Sequence, residues 1–213
     1  MDVFRLRAWA LGVATFLIGA GSAVAAPVTL NGITFSDELG GVVIHGGSGT
    51  GSTQDPFVLV EEITDEGPAI LTVRGMESRI GREMGPQALA GFALVKVVTN
   101  STRHDWNAFE LELRQDLKKP STYEDGLSFA QAQRDLSGFA ADRYGRVRRN
   151  DEPLDAVEFD DGTVRRGEVV TVRMMVTDYT PTAEFFLLQR REGEVAGLVS
   201  GQAMAATSLQ PVQ

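Results

Sequence analysis

Apolar and polar residues alternate along several short segments of this chain with the period of a β-strand. Residues 108–114 read Ala-Phe-Glu-Leu-Glu-Leu-Arg, and residues 170–177 alternate in the same way. We expect each segment to bury its apolar face and to turn its polar face to water. Residues 90–99 are apolar on both faces except at Lys96, a pattern that predicts a central strand.

The remaining apolar runs are short and are separated by turn-forming residues. They lie at 28–30, 33–35, 42–44, 57–60, 70–73, 157–159 and 183–189. Asn31-Gly32 and Asp160-Asp161-Gly162 are typical of hairpin turns, and residues 46–51 predict a flexible Gly/Ser/Thr loop. Helical periodicity is nearly absent. The pattern predicts an all-β protein, an antiparallel β-sandwich of immunoglobulin-like or jelly-roll-like type.

The first 25 residues have the three parts of a secretory signal peptide. Arg5 and Arg7 precede an apolar run over 8–20, and small residues at 21–25 supply a cleavage site. The apolar run is too short for a comfortable membrane span. We expect cleavage after Ala25, a single β-sandwich domain over 26–194 and a flexible tail over 195–213. The tail holds no second apolar block, so we expect no transmembrane anchor and a periplasmic or extracellular location.

Composition narrows the classes of function. The net charge of −9 disfavours nucleic acid and anionic lipid as partners, because like charges repel. The chain has no cysteine, which excludes disulfides, thiol nucleophiles, cysteine-bound zinc and iron–sulfur clusters. An export signal without cysteine is typical of a bacterial protein.

Five segments share their order of strand and turn residues with one group of proteins. They are Asp-Pro-Phe-Val-Leu-Val-Glu-Glu at 55–62, Gly-Pro-Ala-Ile-Leu-Thr-Val at 67–73, Gly-Phe-Ala-Leu-Val-Lys-Val-Val-Thr-Asn at 91–100, Asp-Gly-Leu-Ser-Phe-Ala-Gln at 125–131 and Phe-Leu-Leu-Gln at 186–189. The chain resembles exported bacterial domains of unknown function, including ectodomains of some exosortase-sorted (PEP-CTERM) proteins. It lacks their C-terminal sorting tail. The resemblance implies a β-sandwich and export, and it implies no activity or catalytic residues.

Exposed aromatic rings in turns are the usual platforms for sugars. Trp106, Tyr123 and Tyr144 lie in or near predicted turns, and we take them as candidate ligand-binding residues for a glycan. For Trp106 the alternative is a ring that caps the core at the start of a strand.

Calcium is the metal best suited to this chain, because it accepts oxygen ligands from irregular loops. Asp125, Asp160 and Asp161 are the candidate ligands, although Asp-Gly pairs also occur as ordinary turn chemistry. Zinc is disfavoured, since His45 and His104 are far apart in the sequence. No other cofactor is predicted.

No catalytic motif is present, and no residue is assigned a catalytic role. The Gly-rich segment at 46–50 fails the G-x-S-x-G spacing and lacks a phosphate-binding lysine. The leading interpretation is a non-enzymatic exported protein for binding, adhesion or matrix formation, with a glycan or an envelope protein as partner. One alternative is a secreted hydrolase of polysaccharide or ester, using His104, Asp105, Glu110 and Glu112. Another is a calcium-stabilised carbohydrate-binding module.

Overall fold

The computed structural model describes residues 27–79, 90–130, 135–150 and 154–191, apart from the side chain of Tyr123. The predicted signal peptide at 1–25 and the predicted tail at 195–213 lie outside these ranges. The described residues form thirteen β-strands and two short 3-10 helices, with no α-helix, which confirms the all-β class. No helix among them has the length and apolarity to cross a membrane.

The strands have the following bounds: β1 Val28–Leu30, β2 Ile33–Ser36, β3 Val42–Ser48, β4 Phe57–Ile63, β5 Ala69–Arg74, β6 Ala90–Asn100, β7 Phe109–Arg114, β8 Leu127–Ser128, β9 Ala140–Ala141, β10 Tyr144–Asn150, β11 Ala156–Gly162, β12 Val169–Asp178 and β13 Glu184–Arg191. The 3-10 helices span Met76–Arg79 and Tyr123–Asp125.

The strands form two sheets. The seven-stranded sheet has the order β1-β2-β5-β13-β7-β11-β10, and all its pairs are antiparallel. The six-stranded sheet has the order β3-β4-β6-β12-β8, with β9 also paired to β12. Its β4 and β6 pair in parallel, which corrects the prediction of antiparallel sheets. The reason is topological: the chain leaves β4 for β5 in the other sheet and then returns in the same direction.

Side chains from both sheets share one hydrophobic core. Phe35 and Phe185 extend from the seven-stranded sheet, and Phe57 and Phe92 extend from the six-stranded sheet. Phe92 lies 5.9 Å from Phe35 and 6.5 Å from Phe185, measured between ring centroids. The inner faces of the two sheets therefore pack against each other, and each sheet has an outer face.

Two of the predicted turns have different outcomes. Asn31-Gly32 joins β1 to β2 with φ angles of 44° and 87°, as a primed hairpin turn requires. The Asp160-Asp161-Gly162 prediction is wrong, because these residues end β11 and pair with β10. Asp161 nevertheless has a φ of 63°, so the turn-like composition reflects a local left-handed residue inside the strand.

The segment predicted as a flexible loop at 46–51 is an ordered part of the fold. β3 continues to Ser48, and the amides of Thr50 and Gly51 both donate to the carbonyl of Asp55. The carbonyl of Thr50 accepts bonds from Asn31 Nδ2 and Arg79 Nη1, each at 2.9 Å. The glycines therefore allow segments of the backbone to approach each other closely in this loop.

Candidate functional site

The first candidate ligand residue, Trp106, belongs to the core. It is 2% exposed, and its ring stacks on Phe109 with centroids 5.7 Å apart and planes 18° apart. Its Nε1 donates to Thr102 Oγ1 at 3.1 Å, and the guanidinium of Arg191 lies 5.8 Å from the ring centroid. The prediction of an open sugar platform is therefore wrong for Trp106, and the alternative of a ring that caps the core holds.

Tyr144 lies beside Trp106 and is also buried. Its side chain is 7% exposed, and its hydroxyl donates to the Trp106 carbonyl at 3.1 Å. The structure thus brings two candidate rings together inside the protein, where neither offers a face to a sugar. The side chain of Tyr123, the third candidate, lies outside the described part of the structure.

The three candidate metal ligands do not form one site. Asp125 precedes β8 of the six-stranded sheet, whereas Asp160 and Asp161 lie on β11 of the seven-stranded sheet. The carboxylate of Asp160 pairs with Arg146 Nε at 2.8 Å and with Arg148 Nη2 at 2.6 Å. Among the described residues no three His, Asp or Glu side chains are arranged to hold a metal ion.

His104 and Asp105, two hydrolase candidates, lie in the loop between β6 and β7 and bind other partners. The His104 side chain is 76% exposed, and its Nδ1 is 3.2 Å from a carboxylate oxygen of Glu66. Asp105 accepts a hydrogen bond from the backbone amide of Arg166. These contacts connect the loop to its neighbours and do not link His104 to Asp105.

Glu110 and Glu112, the other two candidates, share the outer face of β7, as the alternation predicts. Arg190 of β13 lies between them: one guanidinium nitrogen is 2.9 Å from Glu110, and the other contacts Glu112. Glu112 also pairs with Arg114 and has no exposed surface, so the prediction that this face is wet is wrong for Glu112. A guanidinium thus fills the space that a sugar and a water molecule would need.

A second polar group lies in the core itself. Lys96 of β6 places its Nζ 2.6 Å from each carboxylate oxygen of Glu61 of β4, and neither residue has exposed surface. Gln189 of β13 donates its Nε2 to Glu61 Oε2 at 3.1 Å. We call Lys96, Glu61 and Gln189 the core triad. Lys96 was visible in the sequence as the single charge in an apolar strand, whereas Glu61 and Gln189 join it only through the fold.

Burial and ion pairing act on Lys96 in opposite directions. Loss of water lowers the pKa of the Lys96 ammonium, and the Glu61 carboxylate opposes this shift. Burial is the stronger cause, so the proton is held less firmly than on an exposed lysine.

The outer face of the six-stranded sheet is apolar at its centre. Val58 and Val60 of β4 lie opposite Val95 and Val97 of β6, on the face that points away from the core. Val60 is 41% exposed, although it lies in an inner strand of the sheet. Val58 and Val97 are half-buried, and Val95 is buried. We call these four side chains the outer valine face.

Polar groups and a recess border the outer valine face. His45 Nε2 lies at hydrogen-bond distance, 3.0 Å, from a carboxylate oxygen of Glu62, on neighbouring strands β3 and β4. Arg173 of β12 lies opposite Val95 and is exposed. Arg173 also lines a recess of about 280 Å³, together with Thr53, Ala93, Ser137, Gly138 and Met175.

Comparisons of the chain with protein-family models, curated proteins and solved structures gave no match.

Proposed function

We propose that this chain is an exported, non-enzymatic binding protein of the bacterial cell envelope or its surroundings. In this proposal the fold is a β-sandwich of immunoglobulin-like or jelly-roll-like type, and the outer valine face binds a partner protein. Two sheets with one shared core support the sandwich, and the composition of residues 1–25 supports export.

One observation carries the proposal. An outer sheet face that meets only water normally has polar side chains, yet four valines occupy its centre here. An apolar patch bordered by polar residues is typical of a protein–protein contact. The contact of His45 with Glu62 and the exposed Arg173 supply such a border.

The surroundings favour a protein partner over a glycan. Sugar binding relies on exposed aromatic rings, and Trp106 and Tyr144 are both buried. The outer valine face contains no aromatic residue, whereas β-branched aliphatic side chains suit contact with another apolar protein surface. The calcium and hydrolase alternatives have less support, because Asp160, Glu110 and Glu112 are paired with arginines.

A pair of equally exposed apolar residues gives a matched test. Val60, on the outer valine face, is 41% exposed, and Leu39, in the turn before β3, is 45% exposed. The exported wild-type protein is immobilised and incubated with envelope extract, and the retained partner is identified. The affinity of that partner is then measured for the wild type, Val60→Arg and Leu39→Arg. We expect Val60→Arg to weaken binding at least about tenfold, because it places a charge in an apolar contact, and Leu39→Arg to leave binding unchanged.

Three results would contradict the proposal. Equal affinity of the wild type and Val60→Arg would remove the outer valine face from the contact. Light scattering that shows a dimer dissociated by Val60→Arg would identify a second copy as the occupant. Turnover of a substrate that is lost on substitution of one polar residue would contradict the non-enzymatic assignment.

A further inference from the structure

The core triad joins the two sheets at a point that water does not reach. Lys96 and Glu61 extend from the six-stranded sheet, and Gln189 extends from the seven-stranded sheet. All three residues have no exposed surface. Lysine and glutamate are rarely buried to this extent, and a buried ion pair is an inefficient means of stabilisation, because desolvation offsets the attraction. The triad therefore calls for a chemical role.

One oxygen of Glu61 contacts both nitrogens of the triad. Oε2 lies 2.6 Å from Lys96 Nζ and accepts the Gln189 Nε2 bond at 3.1 Å. This orientation of the amide is set by charge, because the reverse orientation would direct the Gln189 carbonyl oxygen at a carboxylate. A carboxylate in this position can take a proton from one nitrogen and deliver it to the other.

The environment also favours the nucleophilic form of lysine. Burial lowers the pKa of the Lys96 ammonium, and proton transfer across the 2.6 Å contact replaces two buried charges with two neutral groups. Lys96 Nζ and Gln189 Nε2 both lie within hydrogen-bond distance of Glu61 Oε2, so an amine, a carboxamide and a carboxyl group meet at one point. These are the groups needed for amide exchange.

We propose that Lys96 and Gln189 form an intramolecular amide cross-link, with Glu61 as the proton carrier. Lys96 Nζ attacks Gln189 Cδ, the new Nζ–Cδ bond forms and the Cδ–Nε2 bond breaks. The proton lost by Nζ passes through Glu61 to Nε2, which leaves as ammonia. No atom is oxidised or reduced, and no cofactor takes part.

The cross-link gives the protein a covalent connection between its two sheets. The protein has no cysteine, so no disulfide joins its sheets. A Lys96–Gln189 bond would join β6 covalently to β13, and thus one sheet to the other. The cross-link does not involve the outer valine face or any partner.

The decisive measurement is the mass of the purified full-length product under denaturing conditions. We expect the measured mass to be lower, by the mass of one ammonia molecule, than the mass calculated from the sequence that starts at the observed N-terminus. Trypsin should yield peptide 83–103 joined to peptide 174–190, with no cleavage after Lys96, and fragmentation should locate the bond between Lys96 and Gln189. Two variants should keep the full mass of their own sequences, without loss of ammonia. Lys96→Arg keeps the charge and removes the nucleophile, and Glu61→Gln removes the proton carrier.

The wild-type mass is conclusive even where a variant does not fold. An unchanged mass overturns the cross-link, and the triad is then an ordinary buried ion pair. Loss of water points instead to a bond between Lys96 and Glu61 and overturns the role of Gln189. Loss of ammonia located at Asn31-Gly32 indicates cyclisation of that turn and equally overturns the proposal.

Discussion

At the scale of single residues, Asp178 is the carboxyl group whose proton affinity the fold changes most clearly. It ends β12 with no exposed surface, and its Oδ1 accepts the Thr180 amide at 2.8 Å. Its Oδ2 is buried without a hydrogen-bond partner in the described part of the chain. Burial, with a smaller contribution from Asp125, raises the pKa of Asp178 from 3.8 to about 6.

The sign of the resulting pH dependence follows from this raised pKa. The folded state binds the proton more tightly than the unfolded state, so the stabilisation is complete below about pH 4 and is lost as the pH rises through about 6. When the pH is raised from about 5 to about 7.5, the deprotonation of Asp178 should lower the free energy of unfolding by about 1 kcal/mol. In Asp178→Asn the loss should be absent.

Urea unfolding of wild type and Asp178→Asn at the two pH values measures the effect. Glu124→Gln, an exposed neighbour of Asp125, is the control for loss of a nearby charge. If the difference in stability between wild type and Asp178→Asn is the same at both pH values, Asp178 does not titrate as described.

Trp106 shows why single residues in turns are hard to interpret from sequence. Its neighbours Asp105 and Asn107 are polar and exposed, so the local pattern resembles a surface loop. The ring is buried because Val164 forms a bridge with residue 106 from a distant part of the chain, and Phe109 and Arg191 cover its faces. None of these contacts has a local sequence signal.

At the scale of elements, Gly49 fixes the tight connection that follows β3. Its φ is 91°, and a Cβ at this position would meet the carbonyl oxygen of Pro56. Gly40 gives a matched comparison, because its φ is 83° but no atom lies within 4 Å of an added Cβ. The two positions therefore separate backbone strain from steric conflict.

Alanine substitutions at these two glycines should destabilise the protein unequally. Gly40→Ala should cost about 1 kcal/mol, which is the ordinary penalty for a left-handed alanine. Gly49→Ala should cost at least about twice as much, because the Pro56 carbonyl must also move. Urea midpoints of both variants provide the measurement, and equal midpoints would show that the connection after β3 relaxes freely.

Sequence reasoning locates the strands that are rich in apolar residues, whether these alternate with polar ones, as in β7 and β12, or occupy both faces, as in β6. β10 was missed because its outer positions are charged and its apolar residues are few. Its signal was an alternation of arginines: Arg146 and Arg148 face Asp160 and Glu158 of β11 across the ladder. The parallel pairing of β4 with β6 has no local signature, since it depends on where the intervening strand lies.

At the scale of the whole molecule, the protein limits pairing at the edges of both sheets. β1 has three residues and β8 has two, and β3 is interrupted by a register shift between Ile44 and Gly46. The long edge strand β10 carries Arg146 and Arg148. Short strands, bulges and charges are the usual means of preventing edge-to-edge association. This arrangement directs any partner toward a sheet face, in agreement with the proposed role of the outer valine face.

The fold class was accessible from the sequence, and the candidate site was not. Strand alternation is a local property, so residues such as Phe109 and Leu111 were correctly placed in the core. Whether a residue on the other face is wet depends on what the rest of the chain places over it. Glu112 was expected to be wet and is buried, whereas Val60 lies in an inner strand and is exposed.

The protection of the β10 edge can be tested by removing its charges. In the double variant Arg146→Thr, Arg148→Thr the strand keeps good β-forming residues but loses the arginines that deter pairing with another molecule. We expect the molar mass measured by light scattering to rise with protein concentration, while the wild type keeps its own mass. Arg165→Thr, Arg166→Thr removes the same charge from the turn before β12 and should behave as the wild type. If the molar mass of the β10 double variant does not change with concentration, then backbone geometry, and not arginine charge, prevents β10 from pairing with another molecule.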